Sequence, residues 1–243
     1  MKKWIALILI VAVIGAAICF AVSSSKGEAA HPQKPTGQVD TQPNAEPSEE
    51  VTIIGKWTGS LDLTFAIVKG FENSGIQFQS DAKLIVPVSY VFREDGSYTF
   101  AYDVDAYKKN IADYYTDIHD DYIEYVYAIG AAGGASRNEV DEKLAAQGMT
   151  MDIYVSRTLD ASVYDSMDES SLSKNGYFRF EDGKLYTVEN EADLSNSEDY
   201  FICELDSTTL RMIDVSESIK NNNEKKAIAE GLIPITLTKE LSE

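Results

Sequence analysis

The hydrophobic pattern of this chain changes period twice, and the two changes divide its folded part into three blocks. Leu84, Val86, Val88, Tyr90 and Phe92 take every second position, and after Glu94-Asp95-Gly96 the alternation resumes at Tyr98, Phe100 and Tyr102. A period of two puts such side chains on one face of a half-buried strand, and the acidic-glycine turn joins the two strands as a hairpin. From Val104 the period lengthens. Tyr107, Ile111, Tyr114, Ile118, Tyr122, Tyr125 and Ile129 recur every three or four residues, the spacing of one face of a long amphipathic helix. Gly130, Gly133 and Gly134 end it. Ser136 with Glu139 makes a capping-box pattern for a second helix stopped at Gly148, and Thr150 caps a third short helix running towards Leu159.

Period two then returns. Tyr177–Phe180, Glu181-Asp182-Gly183 and Lys184–Val188 read as a hairpin, and Phe201, Cys203 and Leu205 lead through Asp206-Ser207 to Leu210 and Met212. A polar, partly helical connection over 216–231 precedes a last strand at Ile233, Ile235 and Leu237. Pro234 has no N–H to give a ladder, so it needs an outward, edge or bulge position. Gly55-Lys56-Trp57, followed by alternating Leu61, Leu63 and Phe65, opens the domain. The fold class is therefore mainly β within α+β: an antiparallel up-and-down barrel of about eight strands, with an α-helical insertion at roughly 104–170. Sequential hairpins curl until their edges meet, which removes the hazard of unpaired edges. A sandwich is the alternative.

Two segments precede the domain of residues 51–243. Lys2 and Lys3 stand before an unbroken apolar run, Trp4–Val22, that ends at Ser23. Its length of about 19 residues suits a membrane-crossing helix, with the lysines inside and the rest exported. Residues 1–22 are thus an N-terminal anchor, with a cleaved signal and a secreted product, or lipidation at Cys19, as the alternatives. Residues 23–50 carry Pro32, Pro35, Pro43 and Pro47 among Ser, Gln and Glu, the composition of a disordered stalk.

Composition narrows the function. Forty Asp and Glu against 21 Lys and Arg give a net charge of −19, which disfavours nucleic acid and anionic lipid surfaces. Cys203 is the one cysteine of the exported part, so no disulfide scaffold exists there, and its alternation with Phe201 and Leu205 makes it a small core residue. His31 falls in the stalk and His119 is the domain's single histidine, which leaves no two-histidine metal site. His119 reads as a helix-surface residue beside acids. Neither a catalytic set, a metal nor a cofactor is expected.

Gly55 and Trp57 look like the G-x-W signature of lipocalin-like (calycin) barrels, and the stretch from GYFRFEDGKLYTV through ELDSTTLRM to IPITLTK resembles their closing meander. More narrowly, the chain resembles exported, membrane-attached lipocalin-like proteins of Gram-positive bacteria that carry a helical insertion. In typical lipocalins an arginine of the closing strand packs on the tryptophan; here Lys239 and Arg211 are the candidates for its place. The resemblance implies a non-enzymatic extracytoplasmic module that binds a small apolar molecule or a peptide. Its pocket residues would be Tyr90, Tyr98, Phe100, Tyr102 and Tyr186, unless those rings merely fill the barrel. The second reading is an envelope structural or protein-interaction module using the acidic helical subdomain; a hydrolase is the third.

Overall fold

Eight strands follow one another round a closed barrel. The computed structural model describes residues 51–72 and 75–240. Within them lie β1 (Gly55–Asp62), β2 (Ile85–Phe92), β3 (Ser97–Tyr102), β4 (Ser173–Glu181), β5 (Lys184–Val188), β6 (Phe201–Leu205), β7 (Thr209–Val215) and β8 (Ile235–Lys239). Each strand pairs antiparallel with the next, and β8 returns to β1 through Trp57–Lys239, Thr58–Thr238 and Gly59–Leu237. The barrel reading therefore holds over the sandwich. The segments read as anchor or signal (1–22, with Cys19) and as stalk (23–50) lie outside the described residues. Among the described residues no helix is long and apolar enough to cross a membrane.

Because neighbours run antiparallel, successive connections alternate between the barrel's two ends. The short turns, 93–96, 182–183 and 206–208, share one end; the long connections, 63–84, 103–172, 189–200 and 216–234, share the other. Turn chemistry explains the short ones. Asp182 and Gly183 both have positive φ (49° and 70°), the requirement of a two-residue hairpin whose twist matches its strands. The Asp206 carboxylate accepts from the Thr208 and Thr209 backbone N–H groups at 2.8 and 2.7 Å.

The long connections carry the helices: α1 (Thr64–Phe71), α2 (Val104–Asp117), α3 (His119–Ala132), α4 (Arg137–Ala145), α5 (Met151–Thr158), α6 (Glu217–Lys220) and α7 (Asn223–Leu232). Four of them, α2 to α5, form the insertion between β3 and β4. Both expected caps are present: Ser136 and Glu139 make the reciprocal capping box of α4, and the Thr150 side chain accepts from Ile153 N–H at the start of α5.

Two expectations need correction. The single long helix from Val104 is two helices, broken at Ile118, where φ is −88° and ψ is 1°. The Thr116 hydroxyl donates to the Ala112 carbonyl at 3.0 Å, a side-chain bond that competes with the helical ladder just before the break. The apolar spacing runs through regardless, because Ile118 is itself fully buried. The first strand, read through Leu63 and Phe65, stops at Asp62. Its carboxylate accepts from Thr64 N–H at 2.9 Å, and the Thr64 hydroxyl oxygen accepts from Leu84 N–H at 2.8 Å, so the chain turns into α1 instead.

Candidate functional site

The hairpin end of the barrel is built around Trp57. Its ring is fully buried, and its indole N–H donates to the Ile53 carbonyl at 2.6 Å. The Lys239 ammonium lies 5.2 Å from the ring centroid and donates to the Thr52 carbonyl at 3.1 Å. Lys239 is thus the cation on the tryptophan. Arg211 pairs with Glu204 at 2.9 Å on an exposed part of the surface. These contacts hold the segment at Thr52 and Ile53 and the start of β1 against β8.

Four of the five aromatics expected to line a pocket share the barrel interior. Tyr90 stands opposite both Trp57 and Phe100, while Tyr98 and Tyr102 face Phe92 and Val88 on the same side. Tyr186 does not join them. It pairs with Arg179 across β4 and β5, whereas Phe180 and Leu185 point inward. Tyr186 lies on the outer wall, with the Arg179 guanidinium 4.2 Å above its ring and Tyr200 beside it at 5.2 Å. It is buried because the 3₁₀ segment Glu191–Asn196 packs over β4 and β5. In the sequence both parities of Lys184–Val188 are apolar enough to be inward, so alternation did not decide between Leu185 and Tyr186.

The inward rings pack on one another. Centroid separations are 4.9 Å for Tyr90–Phe100, 5.0 Å for Phe100–Tyr102 and 4.8 Å for Phe92–Phe178. Tyr98 and Phe100 expose 1% of their surface, and Trp57, Leu185, Leu210 and Met212 none. Side chains with so little exposure border no space wide enough for a water molecule, so this part of the interior is filled by protein, as small barrels commonly are. A ligand here would have to displace rings.

The aromatic packing continues out of the barrel into the insertion: Tyr102 meets Tyr107 at 5.6 Å, and Tyr107 meets Tyr164 at 6.1 Å. Burial holds the phenols of Tyr107, Tyr115 and Tyr122 above their ordinary range. The phenol of Tyr114 is pushed up to about 12, first by burial and then by the charges of Asp62 and Asp121. In the unfolded chain these groups ionise near pH ~10. The stability they lend is therefore complete below that pH and is lost as pH rises through the folded values. Tyrosinate absorbance and circular dichroism should show these tyrosines ionising together with loss of the fold, above pH ~10. Independent ionisation near pH ~10 with the fold intact would contradict this packing.

An open groove of about 600 Å³ lies at the break between α2 and α3. The end of α2 (Tyr115, Thr116, Asp117) and the start of α3 (His119, Asp120) form one side; Ser156 of α5 and the segment Leu159–Ser162 form the other. The α2 and α5 C-termini both lie here and present carbonyls, the negative pole of a helix. The α3 N-terminus also contributes, and Asp120 and Asp121 already occupy its first turn. Helix ends of the first kind usually carry Lys or Arg: the last turn of α5 has Arg157, whereas that of α2 holds no basic residue and Asp117 has no ion-pair partner among the described residues. His119 Nδ1 sits 3.2 Å from Asp120 Oδ1, and Asp160 accepts from Ser162 N–H at 3.0 Å. Hydrogen bonds from the Ser162 hydroxyl and then from its N–H lower the Asp160 carboxyl below its ordinary value. Asp117, Asp120 and Asp160 thus make the lining of the groove predominantly acidic, with the hydroxyls of Tyr115, Thr116, Ser156 and Ser162 among them.

Other chemistry is sparse in the described residues. No group of three or more His, Cys, Asp and Glu side chains is placed to hold a metal. Burial pushes the Cys203 thiol up to about 12, so it is neutral and unreactive at ordinary pH. No protein-family model matches the chain, and no curated protein or solved structure matches it either. Its architecture, a closed eight-stranded antiparallel barrel with helices, is compatible with a lipocalin-like fold.

The sequence pattern puts the acids of the helical insertion on its polar face but does not bring Asp117 and Asp120 to Asp160. Asp117, Asp120 and Asp160 come from separate elements, and no spacing rule joins residues some 40 positions apart. The one available signal was the acidic end of α2, where a helix normally favours cations.

Proposed function

We propose that the protein is an exported, non-enzymatic binding module in which the barrel is a solid support and the acidic groove of the helical insertion receives a positively charged group. That group belongs to a small molecule or to a basic side chain of a peptide. The observation carrying this reading is the contrast between the two spaces: a barrel interior occupied by its own rings, and a groove of about 600 Å³ rimmed by Asp117, Asp120 and Asp160. That volume lies within the range of about 300–1,000 Å³ usual for ligand sites. The charge around it is consistent, since residues 104–170 carry fourteen Asp and Glu against five Lys and Arg. A carboxylate unpaired at a helix C-terminus is unfavourable by itself, and a bound cation relieves it.

The reading is tested by titrating the isotopically labelled protein with tetralysine and, separately, with oleate. Tetralysine should move the amide signals of 115–120 and 156–162 and leave those around Trp57 unmoved. Raising salt to roughly 0.5 M should weaken it several-fold, because exposed charges are screened over a few ångströms there. Asp117→Asn with Asp120→Asn should weaken it further. Oleate moving Tyr90 and Phe100, with no response to tetralysine, would return the binding site to the barrel.

A further inference from the structure

We infer that the β7–β8 connection, residues 216–234, is a hinged cap on the long-connection end of the barrel, latched shut by the Asp199 carboxylate. This device stands apart from the groove and its ligand. Within the connection, α6 and α7 rest on a small apolar cluster of their own. Val215, Ile219 and Ala229 are its buried members, with Phe201 and Ile233 packed against it, and it is separate from the main core. So little buried apolar surface gives a two-helix segment low local stability. Both ends of the segment are tied down. At its start the Ser216 N–H donates to the Tyr200 carbonyl at 2.9 Å, and at its end Leu232 packs on the main core.

Between those ends one buried acid engages both helices. Asp199, in the β5–β6 connection, is 6% exposed. Ser218 Oγ of α6 donates to its Oδ1 at 2.5 Å, and Lys225 Nζ of α7 donates to its Oδ2, also at 2.5 Å. Taking the carboxylate away releases both helices at once, and loss of one member of a buried pair is among the costlier single changes. Beside the latch lies the least-paired seam of the barrel. β5 and β6 pair only at Lys184–Ile202 and Leu185–Phe201, whereas β4 and β5 pair at five positions. Phe201 ends that seam and packs against both the main core and the cap cluster. Opening of the cap therefore uncovers Phe201, Val215 and Ile233 as one apolar surface at the barrel mouth.

The test is hydrogen exchange of the unaltered chain, isotopically labelled and read at single amides in low concentrations of urea. The Lys226 and Ile233 amides are bonded to the Asn222 and Ala229 carbonyls, and the Tyr102 amide to the Leu172 carbonyl at the barrel wall. The first two should exchange through one common opening, about tenfold or more faster than Tyr102. Asp199→Ala should speed them by about a further tenfold and leave Tyr102 unchanged. Ser218→Ala, which keeps the Asp199–Lys225 pair, should have the same effect in smaller measure. Asp199→Ala should also brighten Nile red, a neutral dye that reports apolar surface, with Tyr102 still protected. Exchange of all three amides through a single opening in the unaltered protein overturns the cap, whatever the stability of the variants. Equal acceleration of Tyr102 by Asp199→Ala overturns the latch, and faster exchange in α7 without a Nile red response overturns the uncovered mouth.

Discussion

Trp57→Ala should lower the unfolding free energy by about 3–5 kcal/mol, the usual cost of deleting a large buried ring. The size of the effect follows from how completely the residue is enclosed. Its ring has no exposed surface, its N–H is bonded to the Ile53 carbonyl at 2.6 Å, and Lys239 covers one face. Whole domains are stable by only about 5–15 kcal/mol, so the truncation removes a large share. Trp57→Phe keeps most of the apolar area but leaves the carbonyl of buried Ile53 unpaired, which costs about 1–3 kcal/mol. Urea unfolding followed by circular dichroism should therefore rank the wild type above Trp57→Phe and that above Trp57→Ala. An unchanged midpoint for Trp57→Ala would mean that the ring does not close the barrel.

How much of this was legible beforehand depended on the range of the interactions involved. Strand alternation in Val86–Phe92 and Tyr98–Tyr102 is a local signal, as is the switch to helical spacing at Val104, and both were sufficient to give the barrel and its insertion. The Ser136–Glu139 box and the Asp182-Gly183 turn are equally local, and each is present. Lys239 as the partner of Trp57 needed only the knowledge that β8 closes on β1. Three features were not legible, two because a non-local contact decided them and one because the apolar spacing runs on through it. Thr64 turns the chain into α1 by accepting from Leu84 N–H, twenty residues away. The break at Ile118 hides behind an apolar residue that keeps the helical period while leaving helical geometry. Tyr186 is buried, as its composition suggested, but against Arg179, Tyr200 and a covering 3₁₀ segment on the outer wall. The groove is the extreme case, since its charges meet only after four helices have packed.

Gly176→Ala should be the most damaging single-methyl change in the barrel wall. A Cβ placed on Gly176 would lie 2.3 Å from the Val188 carbonyl oxygen and 2.7 Å from Cε1 of Tyr98, far inside contact distance. Tyr98 faces Gly176 directly across β3 and β4, so its ring covers the place where a side chain would stand. Overpacking of this kind costs about 1–3 kcal/mol and more where the neighbour cannot move. Here the nearest neighbour is backbone of β5, so the upper part of that range is expected. Gly59→Ala meets the same obstacle at the β8 seam, where its Cβ would lie 2.6 Å from the Thr236 carbonyl oxygen. Trimming the ring tests which contact dominates. In a double-mutant cycle, Tyr98→Ala should recover only part of the Gly176→Ala loss, because it makes room for the methyl against the ring but not against Val188. Full recovery would show that the ring, rather than the strand behind it, sets the spacing of β3 and β4.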